Sequence, residues 1–439
     1  MARLRSSTFR QSFDCNLFIF LLVLVLEACS LKLALSDSSH INIIDFLPGF
    51  QGPLPIHLET GYVGVGEDED IQLFYYFAKS ERYPEKDPLV LWLCGGPGCS
   101  GWSGFAYEIG PLRFSKVEHY KGSSLPTLVL NPYSWTKVSS IIFIDSPVGT
   151  GFSYGRTPLA SQTGVLKQVQ HMLQFLRKWL ADHPSFISHP VYLAGSSYSG
   201  IPIPVLAQQI SNVNEGGVIP YINLQGYILG NPVTDPSDDN FEIPFAHGMA
   251  LISDELYKSL EKNCGGQYKK VDPSNADCLK DMQAFEKSVS GIHFLNILSP
   301  FCNIEALDSD EIIDGRRSLS VSEESEASLY AESANCQEIE HVYSRYWAND
   351  ASVRKALGVR EGTIGKWQRC KFNIPYEHDV RSSIQYHLNL SSKGYRSLIY
   401  SGDHDMRVSF LATQAWITSL NFSIIDDWRS WIFQGQIAG

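Results

Sequence analysis

Val191-Tyr192-Leu193-Ala194-Gly195-Ser196-Ser197-Tyr198-Ser199-Gly200 runs into Ile201-Pro202-Ile203-Pro204-Val205-Leu206, and this stretch decides the fold. A short apolar run that ends in glycine reads as a buried strand. Prolines are tolerated in the first turn of a helix, because those N–H groups have no intrahelical partner. Strand and helix therefore flank a tight turn with Ser197 at its apex, Gly195 two residues before it and Ser199 two residues after it. Small residues at those places suit a nucleophile elbow, whose backbone is sharp and strained. Centring the turn on Ser196 or Ser199 would put Tyr198 or Ile201 at the second position after the serine, so only this register works.

A second apolar run, residues 89–93, ends in Cys94-Gly95-Gly96-Pro97-Gly98-Cys99. Without side chains, such a loop can bring its backbone N–H groups close to a substrate. Acyl transfer needs donors aimed at the developing oxyanion. One comes from the residue after the nucleophile, here Tyr198, and the other from an early strand–helix loop, here Gly96.

Working outward, residues 141–144 and 398–400 also read as buried strands. Val165, Leu166, Val169, Met172, Leu173, Leu176 and Leu180 recur at helical spacing, with His171 off the stripe and expected at the surface. Residues 60–78 read as an antiparallel hairpin. Strand, helix, strand alternation argues for an α/β fold with a mostly parallel sheet. The stretch 233–347 breaks this rhythm and reads as a helical cap. The expected organisation is a signal peptide at 1–34, a core at 35–232, the cap at 233–347, and the second part of the core at 348–439. Within the cap, residues 314–335 are rich in Ser, Glu and Ala and read as a surface loop, with Arg316-Arg317 a candidate processing site.

The 439 residues are 44% hydrophobic and 19% charged, enough for a sizeable core. A net charge of -12 with no cluster of lysine and arginine argues against nucleic acid and anionic membranes as partners. Arg3, Arg5 and Arg10 precede the apolar run 17–26, which reads as a cleaved secretory signal and leaves no membrane association afterwards. Nine cysteines become seven once Cys15 and Cys29 leave with the signal. In an oxidising compartment an odd number suggests three disulfides and one free thiol, which spacing alone does not assign. No CxxC pair is present, so a metal site is not expected. Asn389 and Asn421 open N-glycosylation sequons.

Taken together, Trp92-Leu93-Cys94-Gly95-Gly96-Pro97-Gly98-Cys99-Ser100, Gly195-Ser196-Ser197-Tyr198-Ser199-Gly200, Leu229-Gly230-Asn231-Pro232 and Tyr400-Ser401-Gly402-Asp403-His404-Asp405 resemble the signatures of the serine carboxypeptidase family. The likeness is to its plant serine carboxypeptidase-like branch, some of whose members are acyltransferases. The resemblance implies an α/β-hydrolase fold and a Ser–Asp–His triad. It makes Ser197 the nucleophile and Asp405 the triad acid, with Gly96 and Tyr198 as oxyanion donors and no metal or organic cofactor. It places Gly95, Cys94 and Ser196 at substrate-binding positions. It also implies the disulfides Cys99–Cys370, Cys264–Cys278 and Cys302–Cys336, leaving Cys94 free, and a secreted or vacuolar protein.

The sequence departs from the family pattern in three ways. The asparagine before the glycine loop and the glutamate before the serine, which hold a substrate carboxylate in carboxypeptidases, are here Cys94 and Ser196. A thiol is a weak donor and a small hydroxyl lacks a carboxyl group's reach. This favours an acyl ester and an acceptor alcohol over a peptide C-terminus. Cys94 itself reads as a small apolar residue, since no histidine is visibly placed to activate it. Finally, no histidine follows His404, which is adjacent to Asp405 and cannot relay between it and Ser197. The sequence therefore reads as a C-terminally truncated chain, with ligand binding without turnover as the alternative to catalysis.

Overall fold

The computed structural model describes residues 41–115, 124–300 and 339–439. The expected signal peptide, the 314–335 loop, Cys302 and Cys336 lie outside the described residues.

The main strands are β1 (Asn42–Ile44), β2 (Leu58–Val65), β3 (Ile71–Ala78), β4 (Leu89–Leu93), β5 (Ser140–Ile144), β6 (Val191–Ser196), β7 (Leu224–Gly230) and β8 (Arg396–Tyr400). They form a sheet in the order β1-β2-β3-β5-β4-β6-β7-β8, with the short strand Tyr154–Gly155 added against β3. The β2–β3 hairpin pairs Leu58 with Ala78 through Val65 with Ile71, antiparallel, and β3 joins β5 antiparallel. From β5 across to β8 every pairing is parallel. Parallel strands need crossover connections, and these supply α1 (Val165–Asp182) and α2 (Pro202–Glu215).

Every residue of β4 and of β5 is buried, as expected for strands covered on both faces. Side-chain alternation sorts them. Leu89, Leu91, Leu93, Ile142 and Ile144 pack in one core with Val165, Val169, Met172 and Leu176 of α1 and Leu206 of α2. Val90, Trp92, Ile141 and Phe143 pack in a second core with Trp102, Phe105 and Trp347. His171 is also buried, against the expectation of a surface position, and burial lowers its pKa. Its helix is covered over a wider arc than the apolar stripe marks.

Beyond β7 come α3 (Glu242–Gly248), α4 (Asp254–Cys264), α5 (Ala276–Val289) and α6 (Ile339–Asn349). The first three build a small core of their own from Ile243, Phe245, Leu260, Phe285 and Val289. Helix α6 does not share it. Trp347 stacks on Trp102 at 4.1 Å between ring centroids and donates through Nε1 to the Pro48 carbonyl at 2.7 Å. Helix α6 thus packs with the main core.

β8 pairs with β7 at the end of the sheet, and Leu398 is 56% exposed. A buried strand was expected here. The apolar run is present, but its edge position leaves it open among the described residues. Cysteines join Cys99 to Cys370 and Cys264 to Cys278. The first bridge spans 271 residues, so loop-closure entropy alone gives it about 5 kcal/mol. A C99S/C370S double variant is expected to lose roughly that much in a urea unfolding experiment, and C264S/C278S, which opens only a 14-residue span, distinctly less.

Candidate active site

The elbow forms where β6 meets the short helical turn Ser197–Gly200. Ser197 has φ 57°, in the left-handed region that side chains rarely enter. The turn is held in place from below, because the Ser199 hydroxyl donates to the Leu93 carbonyl at 2.8 Å and so ties the elbow to the end of β4. The glycine-rich loop that leaves β4 lies directly against it. A Cβ on Gly95 would stand 2.8 Å from the Ser197 Cβ and 3.0 Å from the Tyr198 nitrogen, so only glycine allows this approach. The loop and the elbow, distant in sequence, thus share one corner of the sheet. Ser197 is partly accessible there.

Cys94, at the start of the loop, is buried, and its sulfur accepts the Gly104 N–H at 3.2 Å. Burial raises its pKa well above the usual thiol value, so it is held as a neutral thiol. The chain then runs through a π-helical turn, Gly104–Glu108. Such turns are uncommon and often mark functional sites. This one delivers Glu108 to Ser196. Glu108 is exposed to solvent. Desolvation pushes its pKa up to about 7, against the opposing pull of Arg369 and of the Ser196 hydroxyl. Tyr400, at the end of β8, feels the same carboxyl. Nothing in the sequence reading singled out Glu108. The available signal was an isolated carboxylate in the run Phe105-Ala106-Tyr107-Glu108-Ile109.

Asp405 sits on the loop after β8. Its Oδ1 accepts the N–H groups of Arg407 and Val408 at 2.8 and 2.9 Å. Desolvation raises its pKa to about 6 despite these bonds and the nearby positive charges of Arg407 and the cap residue His293. His404 turns away from it, with Nδ1 2.9 Å from Asp403. On the other flank of the elbow, the Tyr198 hydroxyl meets Nδ1 of His378 at 2.9 Å. Tyr376 stands edge-on to both rings and donates to Gln168 at 2.7 Å. Among the described residues no group of three or more His, Cys, Asp or Glu side chains could hold a metal ion.

The serine carboxypeptidase family model matches residues 48–439. The chain belongs to the serine carboxypeptidase family. It is 55% identical over 402 residues to serine carboxypeptidase-like 17 of Arabidopsis thaliana, covering 91% of this chain and 84% of that protein. Serine carboxypeptidase-like 3 of the same plant is 52% identical over 402 residues, covering 91% and 85%. Among solved structures, the prohormone-processing carboxypeptidase Kex1(delta)p of Saccharomyces cerevisiae superposes with a TM-score of 0.66 at 19% identity, over 91% of this chain and 86% of that one. That likeness shows the α/β-hydrolase fold. In family terms, the elbow and the glycine loop occupy the corner where the parallel strands end, the usual position of a site in this fold.

Proposed function

We propose that this member of the serine carboxypeptidase family forms an acyl-enzyme at Ser197 and passes the acyl group to an alcohol or to water. The observation that carries this reading is the strained, partly accessible Ser197 packed against the backbone of Gly95. The Ser197 oxygen attacks an ester carbonyl carbon and gives its proton to the base that the family triad supplies as a histidine, and no histidine follows Asp405 in this sequence. The carbonyl electrons move onto oxygen, where the N–H groups of Gly96 and Tyr198 receive them. Collapse expels the alcohol with that proton, and the acceptor reverses the sequence. Asp405 would orient that histidine and support its charge.

Acyl transfer from an ester is favoured over cleavage at a peptide C-terminus. Cys94 keeps its thiol in the packed layer, and Ser196 presents its hydroxyl to Glu108 rather than to a ligand carboxylate. Secretion or delivery to the vacuole fits the disulfides, and the sequon residues Asn389 and Asn421 are both exposed. No helix of the described residues is long and apolar enough to cross a membrane.

Labelling with a fluorophosphonate, followed by peptide mapping, tests the nucleophile: the adduct should map to Ser197, and an adduct elsewhere, or none, would sink the reading. Competition against labelling then tests the substrate class. Glu108 is protonated below about pH 7 and ionised above it. A carboxylate competitor, such as an N-blocked amino acid, should therefore weaken about tenfold or more as pH rises through this range, by like-charge repulsion. A neutral ester competitor should not. In Glu108→Gln the pH limb should vanish, and its persistence would show that another group sets it.

A further inference from the structure

β7 ends at Gly230, which is in register with Ser196 of β6 on one side and with Tyr400 of β8 on the other. The next three residues touch both halves of the site. Val233 donates its N–H to the Ser197 carbonyl at 2.9 Å, and Pro232 packs on Gly200 of the elbow. In the other direction, Asn231 donates its N–H to the Tyr400 carbonyl at 2.9 Å. Its side chain then crosses to the acid loop. Oδ1 accepts the Gly402 N–H at 3.0 Å, while Nδ2 donates to the Ser401 hydroxyl at 3.1 Å and to the Val408 carbonyl at 3.0 Å. One carboxamide thus bonds both ends of the turn that holds Asp405. From the opposite side, the Phe294 carbonyl of the cap accepts the N–H groups of Met406 and Arg407.

Two properties make asparagine apt. Ser401 to Val408 presents both a donor and acceptors, and among neutral side chains only a carboxamide offers two donor hydrogens and an acceptor from one planar group. The backbone at Asn231 has φ 40°, a region that asparagine tolerates better than other residues with a Cβ. Gln would not reach this conformation as readily and would place the amide one carbon further out.

We propose that Asn231 is a positioning residue whose carboxamide fixes the Asp405 turn at a set separation from the Ser197 elbow. This rests on the reading that Ser197 and Asp405 act together. It adds that their spacing is set by the short segment after β7, with the Phe294 carbonyl of the cap bracing the turn from the other side.

The test compares Asn231→Gly, Asn231→Ala and Asn231→Asp by hydrogen exchange and by ester hydrolysis. The glycine variant keeps the left-handed backbone free of strain and deletes only the side chain. Exchange across 401–408 should accelerate about tenfold or more in the glycine and alanine variants, while β4 and β6 keep their protection. The aspartate variant retains an acceptor for Gly402 but loses both donations, so it should fall between these and the unaltered protein. Hydrolysis should show kcat reduced about tenfold or more with KM within about twofold, because the residue moves a catalytic group without touching substrate. Unaltered exchange at 401–408 in the glycine variant would overturn the proposal, and so would an equal loss of protection throughout the sheet. If Ser197 takes no fluorophosphonate even in the unaltered protein, the nucleophile reading fails, and the exchange comparison still decides the role of Asn231.

Discussion

Ser197→Ala is expected to abolish covalent labelling by a fluorophosphonate and, in a chain that carries the family's triad histidine after Asp405, to lower ester turnover by about 10⁶ in kcat. The effect is large because the nucleophile, its base and the oxyanion donors act as one unit. Without the serine oxygen, the bond whose formation splits the reaction into two easier steps is never made. What survives is the contribution of the Gly96 and Tyr198 donors and of binding. Ligand affinity should therefore change little, and a circular dichroism melt should match the unaltered protein, since among the described residues no hydrogen bond of the Ser197 side chain holds another element. Labelling that persists at another residue of the variant would assign the nucleophile elsewhere.

Asp145→Ala should produce a large loss of stability. Asp145 is fully buried at the end of β5 and accepts the Ser100 hydroxyl at 2.6 Å and the N–H groups of Gly101 and Phe152 at 2.7 Å each. It binds the chain that follows the glycine loop to the 145–153 loop. Alanine leaves three buried donors unpaired, and each costs about 1–3 kcal/mol. A loss of about 3 kcal/mol or more in denaturant unfolding is expected. Asp145→Asn should be milder but still destabilised, because its amide can turn only one oxygen toward three donors. If alanine is tolerated within about 1 kcal/mol, the three donors must have found other partners, such as water entering the vacated space.

Local chemistry was legible in the sequence wherever it depended on neighbours along the chain. The Ser197 turn could be read because Gly195, Ser199 and the prolines lie within a few residues of it. The strands β4 and β5 could be read because burial on both faces makes a run apolar throughout. The family signatures around Asp405 extended this to a distant residue. What escaped depended on partners brought from elsewhere. His171 was misplaced because a helical stripe marks only the deepest face, and here the covering elements reach further round. Leu398 looked like a central residue because hydrophobicity does not report which strand is last in a sheet. Glu108 was invisible because its importance comes from Ser196, which arrives from another strand. Asn231 carried a family signature, yet its work lies in bonds to residues 401, 402 and 408, which no local pattern could reveal. The packing of Trp347 on Trp102 escaped for a similar reason.

The bridge from Cys99 to Cys370 has a topological consequence. Ser197 lies between the two cysteines and Asp405 lies beyond the second. Any single cut of the backbone after Ser197 and before Cys370 would put these two residues on separate polypeptides, yet the polypeptides would stay covalently tethered beside the glycine loop. Such a nicked protein would run as one species on a non-reducing gel and as two after reduction. Between those two conditions its elbow and its acid loop would still be held by the same sheet.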